Sequence, residues 1–294
     1  MTDSQIGAIR ALLTSRPRPT DLAERRARVD WLGQQDPLPA DVHVEPVEAN
    51  GVAAEWTWTP GADPSRVVMF LHGGGYVSGS IASHRGTVSQ MGREARARTL
   101  ALGYRLAPEH PFPAALEDAL AAYRFLLAQG FRAENIAIGG ESAGGGLALA
   151  ALAALRDAGD PLPGCAWCAS PWVDLEMTGA TMATKDAEDP LIHKAYLEDL
   201  ARQYLAGADP RDPRASSLHA DLRGLPPLLI QVGSAETLLD DAVRLAGAAG
   251  AAGVEVTLRV WPDMIHAWHL YWQRLGAAHR SLAEAGAFIR AKLR

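Results

Sequence analysis

Between residues 135 and 159 the chain reads NIAIGGESAGGGLALAALAALRDAG: a short apolar run, five glycines around one serine, then an alanine-rich stretch. Few folds tolerate such a junction. Glycine weakens helices and strands alike, by about 0.5–1 kcal/mol relative to alanine. Five of them between two regular segments mark a backbone held in a conformation, or at an approach distance, that no side chain permits. A strand that turns at once into a helix is the building unit of a parallel sheet, whose strands need crossover connections.

The rest of the chain repeats that unit. Strands are predicted at VVMFLH (67–72), TLALGY (99–104), NIAIGG (135–140), CAWCAS (165–170), LLIQVG (228–233) and EVTLRVW (255–261). Helical stretches fall between them, near 83–96, 113–128, 143–158, 238–250 and 276–293. Short β-rich runs alternating with helices imply an α/β class, a largely parallel sheet covered on both faces. VAAEWTW (52–58) instead alternates apolar and polar residues, the mark of antiparallel edge strands with one wet face. No repeat period is visible.

Two regions break this rhythm. Residues 1–40 look helical, with breaks at Pro17, Pro19, Pro37 and Pro39; residues 175–222 are a polar, proline-punctuated insertion with one helix, IHKAYLEDLARQYL (192–205). An insertion that follows a sheet strand lies over the strand ends, where open α/β sheets bind ligands. The two regions are therefore expected to pack together as a cap on a single domain spanning 1–294.

Composition excludes several roles. A formal net charge of −6 argues against a nucleic-acid partner, which would favour a basic face. The locally basic RPRPTDLAERRAR (16–28) also holds acids and reads as a solvated helix face. The start, MTDSQIGAIRALL, lacks the basic, apolar and small-residue pattern of a secretory signal, so a cytoplasmic location is expected. The longest apolar run, after Ser142, is too short and too rich in glycine to span a bilayer. Cys165 and Cys168, the two cysteines, sit three apart in an apolar strand, which puts them on opposite faces as core residues rather than a redox pair. No cysteine and histidine cluster has zinc spacing.

GESAG (140–144) is Gly-x-Ser-x-Gly between a strand and a helix, the arrangement of a nucleophile elbow. The following helix directs its N-terminal amides toward Ser142, where negative charge would develop. LHGGGYVSG (71–79) follows another buried strand, and its three glycines leave backbone N–H groups unshielded. A phosphate cradle would want a lysine on the next helix, and YVSGSIASH offers none. An oxyanion loop is the better reading, with donors from two of Gly73, Gly74 and Gly75 plus Ala143. In folds built on this elbow the triad follows the order serine, acid, histidine. His266, in WPDMIHAW just after the last strand, is the expected base. His269 falls in a packed-looking aromatic run, and His72 and His110 precede the acid and read as loop supports. Glu236, Asp240 and Asp241 compete for the acid. Glu236 is favoured because it lies in the loop after LLIQVG, whereas the two aspartates fall inside the next helix, where acids suit the positive dipole end.

HGGGY, YRLAPEHPFPAA (104–115) and GESAGGGLA, in this order and spacing, resemble the hormone-sensitive-lipase-like branch of the α/β-hydrolase superfamily. GLPPLLIQVGSAETLLDDA and DMIHAW extend the likeness over 42–293, and the N-terminal segment matches in character only. The resemblance implies an α/β-hydrolase fold with a helical cap, carboxylester hydrolysis by a serine nucleophile, and no cofactor or metal. It departs at one place: the family usually carries aspartate where this chain has Glu236. Trp172, in SPWVDL (170–175), is expected to line the substrate pocket. The base is expected to titrate at about 6–7.5, close to free imidazole. Short acyl groups are expected as substrates, and the open edge of EVTLRVW suggests a homodimer. Amide or lactone hydrolysis would use the same triad. A catalytically silent small-molecule receptor would be expected to lose Ser142 or His266, and both are present.

Overall fold

The computed structural model describes residues 2–15 and 19–294; Arg16, Pro17 and Arg18 of the basic run, and with them one predicted proline break, lie outside the described residues. Eight strands form one sheet: β1 (His43–Ala49), β2 (Val52–Trp58), β3 (Asp63–Leu71), β4 (Ala97–Gly103), β5 (Ile136–Glu141), β6 (Cys165–Ala169), β7 (Leu228–Gly233) and β8 (Val256–Trp261). Their order is β1-β2-β4-β3-β5-β6-β7-β8. From β4 to β8 every pairing is parallel; β1, β2 and β4 pair antiparallel. The β1–β2 hairpin turns on Asn50 and Gly51, at φ 53° and 88°, the left-handed pair that a two-residue hairpin loop requires.

Nine helices complete the described residues: α1 (Thr2–Thr14), α2 (Leu22–Gly33), α3 (Ile81–Ala95), α4 (Ala114–Ala128), α5 (Ala143–Ala158), α6 (Thr181–Thr184), α7 (Lys194–Leu205), α8 (Leu239–Ala251) and α9 (Gly276–Lys292). The central strands are buried on both faces, so alternate residues feed two separate cores. Val67, Met69, Leu71 and Cys168 face the core that holds buried residues of α4, α5 and α8. Val68, Phe70, Cys165 and Trp167 face the core that holds buried residues of α3 and α9. The cysteines thus fall on opposite faces, free and buried, and burial pushes both thiols up to about 12. α6 is a single turn, too short to announce itself by periodicity.

The N-terminal helices and the long β6–β7 connection meet each other. Asp21 caps α2 by accepting from Glu24 N–H at 3.0 Å. Arg25 on α2 pairs with Asp199 on α7 at 3.2 Å and lies over the Tyr196 ring at 5.0 Å. Arg10 on α1 donates to the Glu188 carbonyl at 2.6 Å. Arg26 grips Glu109 with two bonds of 2.8 and 2.7 Å and also donates to the Val77 and Ala107 carbonyls. Among the described residues, no helix is long and apolar enough to cross a membrane.

Candidate active site

The junction at residue 142 is as tight as its glycines imply. Ser142 links β5 to α5 with φ 55° and ψ −121°, a left-handed conformation that side chains rarely adopt. A β-carbon on Gly140 would lie 2.1 Å from the Gly144 carbonyl oxygen, and one on Gly144 would lie 2.0 Å from that of Leu71. The turn therefore closes only with glycine at both places. It lifts the serine hydroxyl to the carboxyl end of the sheet, where the β7 and β8 loops also converge.

Those loops bring the predicted partners together. His266 Nε2 lies 2.9 Å from Ser142 Oγ, and His266 Nδ1 lies 2.8 Å from Glu236 Oε2. The other Glu236 oxygen accepts from Gly233 N–H at 2.5 Å and from the Ser170 hydroxyl at 2.8 Å. With Nδ1–H donating to the carboxylate, Nε2 is left to accept the serine proton, a tautomer assigned from this network. Ala235 N–H donates to the Met264 carbonyl at 3.0 Å, which ties the acid loop to the base loop. Ser142, Glu236 and His266 are all buried.

Burial alone would lower the His266 pKa. The hydrogen bond and charge of Glu236, with the charges of Glu141 and Asp189, outweigh it and raise the imidazole to about 9. Burial raises Glu236, against the pull of His266. The His266 imidazole thus lies above the 6–7.5 expected from free imidazole, because the carboxylates of Glu236, Glu141 and Asp189 face it, a convergence the sequence does not reveal.

Asp240 and Asp241 are engaged elsewhere. Asp240 accepts from Thr181 N–H at 3.1 Å, and Asp241 accepts from Val173 and Asp174 N–H, both at 3.0 Å. Asp240 thus holds the insertion and Asp241 the segment that leads into it, and neither holds the imidazole. Burial, with the nearby charge of Asp174, raises Asp241 to about 7 despite its hydrogen bonds.

The three amides of the glycine loop are not equivalent. Gly73 N–H points at His84 Nε2, 3.2 Å away, and so does not face the serine. Gly74 and Gly75, with φ 115° and 66°, line the cavity beside Ser142, and their N–H groups have no acceptor among the described residues. Ala143 N–H, at the first position of α5, is likewise without one. Among the other histidines, His72 is buried with Nδ1 2.8 Å from the Gly73 carbonyl, His110 is exposed, and His269 packs on Trp268 with ring centroids 3.7 Å apart. Burial, with a neighbouring histidine, lowers both His72 and His269 to about 3, so neither imidazole carries a proton to spare.

Trp172 does not line the pocket. It is fully buried, its indole N–H donates to the Asp174 carbonyl at 3.2 Å, and its ring lies against Tyr76. The bare Gly146 lets the Trp172 backbone press onto α5, where a β-carbon would meet its carbonyl oxygen at 2.1 Å, and this turns the indole into the core. The walls come from the two irregular regions instead. Val29 and Leu32 of α2, Leu191 and Ile192 of the insertion, Leu197 and Leu200 of α7 enclose a cavity of about 670 Å³ counting its open mouth, with Ser142 and His266 at its floor.

Sequence reading passed over Glu141, the variable residue of the Gly-x-Ser-x-Gly pattern. It lines the cavity with Oε1 3.4 Å from His266 Nε2 and Oε2 3.2 Å from His84 Nε2. Its position beside the serine was the available signal. Among the described residues one cluster, Asp174, Glu176 and His219, has spacing that a cation would accept, but Asp174 already takes Arg244 at 2.7 Å and the Glu176 amide at 3.0 Å.

Comparison with known proteins follows the same lines. A family model described as alpha/beta hydrolase fold matches residues 68–270. An acetyl-hydrolase of Streptomyces hygroscopicus is 50% identical over 272 residues, covering 92% of this chain and 89% of that protein. An esterase of Acinetobacter venetianus is 32% identical over 275 residues, with 92% and 90% covered. A crystal structure of an esterase from the bacterial hormone-sensitive lipase family superposes with a TM-score of 0.96 at 47% identity, covering 100% of this chain and 98% of that one.

Proposed function

Because this chain belongs to the hormone-sensitive-lipase branch of the α/β-hydrolases and is a serine carboxylic-ester hydrolase, we propose that it cleaves short-chain acyl esters with Ser142 as nucleophile. His266 is the base and Glu236 the orienting acid. The observation that carries this reading is the unbroken line of contacts from Ser142 Oγ through His266 to Glu236, at 2.9 and 2.8 Å.

Ser142 Oγ attacks the ester carbonyl as His266 Nε2 takes its proton, and Glu236 stabilises the imidazolium that forms. The negative charge that develops on the carbonyl oxygen is met by the amides of Gly74, Gly75 and Ala143, fixed in place before substrate arrives. His266 then protonates the departing alcohol. Water, deprotonated by the same nitrogen, releases the acid from Ser142.

Chain length follows from the walls. The N-terminal helices and residues 175–222 act as a cap, and its aliphatic residues leave room for a small acyl group above the serine rather than a broad lipid-facing surface. The relative named for acetyl hydrolysis points the same way. The outer edge of β8, with Val260 44% exposed, is the surface we assign to pairing with a second copy; light scattering at micromolar concentration that returns a monomer mass overturns that assignment.

The test is hydrolysis of nitrophenyl esters from acetyl to dodecanoyl. Rates should peak at or below about hexanoyl, and Ser142→Ala should lower kcat by roughly 10⁴ or more while the protein stays folded. Near-normal turnover in the alanine variant ends the serine mechanism, and faster turnover of the longest esters ends the short-chain reading.

A further inference from the structure

The loop that carries Glu236 is held by the cap as much as by the sheet. Thr237, the next residue, donates its N–H to Asp189 Oδ2 at 3.1 Å and receives the Thr181 hydroxyl on its carbonyl at 2.7 Å. Both partners belong to the insertion. The other oxygen of Asp189 accepts from Leu191 N–H at 2.9 Å and Ile192 N–H at 3.1 Å. Leu191 and Ile192 are walls of the substrate cavity. One buried carboxylate therefore clasps the acyl pocket with one oxygen and the acid loop with the other.

Three amide donors and the nearby imidazole favour the charged form of Asp189, while burial opposes it and raises its pKa. Its charge in turn reaches His266. The titratable groups around that imidazole are Glu236 from the β7–α8 loop, Glu141 from β5, Asp189 from the insertion and His269 beyond β8.

We propose that Asp189 is a positioning residue that links the cap wall at Leu191 and Ile192 to the placement of Glu236, so that the fit of the acyl group is felt at the catalytic acid. This rests on the triad reading above. An acyl chain that presses Leu191 outward pulls on the Asp189 carboxylate, which pulls on Thr237 and the loop of Glu236. Discrimination between acyl groups then shows in kcat as well as in KM.

Two variants of the full chain test this, Asp189→Asn and Thr181→Val, assayed with nitrophenyl acetate and butyrate from pH 6 to 10. Asparagine keeps one acceptor and sets an NH₂ group against the remaining amides, so it loses a tie and the charge together. Its kcat should fall roughly 10- to 100-fold, the scale of a small misplacement of a catalytic group. Its pH midpoint should move down by about half a unit or more, because an opposite charge near the imidazolium has gone. Thr181→Val releases the Thr237 carbonyl and the Asp240 amide but no charge, so kcat should fall with the midpoint unmoved. A folded Asp189→Asn protein with a wild-type midpoint and kcat overturns the proposal. If that variant does not fold, an unchanged kcat in Thr181→Val overturns it alone. Ser142→Ala keeps the questions apart: loss of activity there, beside a wild-type Asp189→Asn profile, removes this inference and leaves the triad standing.

Discussion

Replacing Ser142 by glycine should make the protein more heat-stable than replacing it by alanine, although both changes abolish turnover. The two variants lose the same hydroxyl and the same bond to His266, so those terms cancel. What differs is the backbone. A non-glycine residue held at φ 55° and ψ −121° costs roughly 1–3 kcal/mol, and glycine releases that strain. Glycine also gives the unfolded chain more freedom, an offset of about 0.4–1 kcal/mol. A net gain of about 1–2 kcal/mol remains. A chain of 294 residues has an unfolding entropy near 0.6 kcal/mol per kelvin, so the expected rise in Tm is about 2–3 °C. Calorimetry of the two purified variants in one buffer reads it directly. If the glycine variant melts at or below the alanine variant, the backbone at residue 142 is not strained.

Glu236→Gln should cut kcat by a factor of order 10³–10⁴, as loss of an orienting carboxylate does, whereas Asp240→Asn and Asp241→Asn should keep most activity because their partners are the amides of Thr181, Val173 and Asp174 rather than His266. The opposite pattern would move the acid to α8. Asp241→Asn carries a second signature: its folded pKa of about 7 lies above the unfolded value, so its contribution is favourable below about pH 4 and is lost as pH rises through 7. Asparagine removes that loss, and its Tm relative to wild type should be higher at pH 8.5 than at pH 5. For His266, kcat/KM should rise with pH and reach half its plateau well above 6.5, since only neutral imidazole accepts the serine proton. The stability owed to its charged form runs the other way, full below about 6.5 and lost through about 9. A half-plateau at pH 6 would contradict the raised base.

The order of strands and helices was legible because burial on both faces writes continuous apolar runs, and the Gly-x-Ser-x-Gly turn can close in few ways. Glu236 was legible because chain order and the end of β7 leave it in the loop. Trp172 was not, since its placement depends on how closely its backbone can approach α5 at Gly146, 26 positions earlier. The choice among Gly73, Gly74 and Gly75 turned on His84, a residue eleven positions on whose ring takes one amide. The raised His266 reflects carboxylates from residues 141, 189 and 236, distant in sequence and brought together only by the sheet and its insertion.

The N-terminal helical region is fastened by residues far along the chain. Asp36 pairs with Arg274, Pro37 receives Gln273, and Gln5 receives the amide of Gly276, across 236 to 271 positions of chain. As the polypeptide leaves the ribosome, α1 and α2 emerge 236 or more positions ahead of these fastenings. Ser142 is translated well before His266, its hydrogen-bonded partner, and Glu236, the partner of that imidazole. On the proposed mechanism, synthesis order thus acts as a safety catch: the nucleophile has no base until His266, 124 positions further on, has been made.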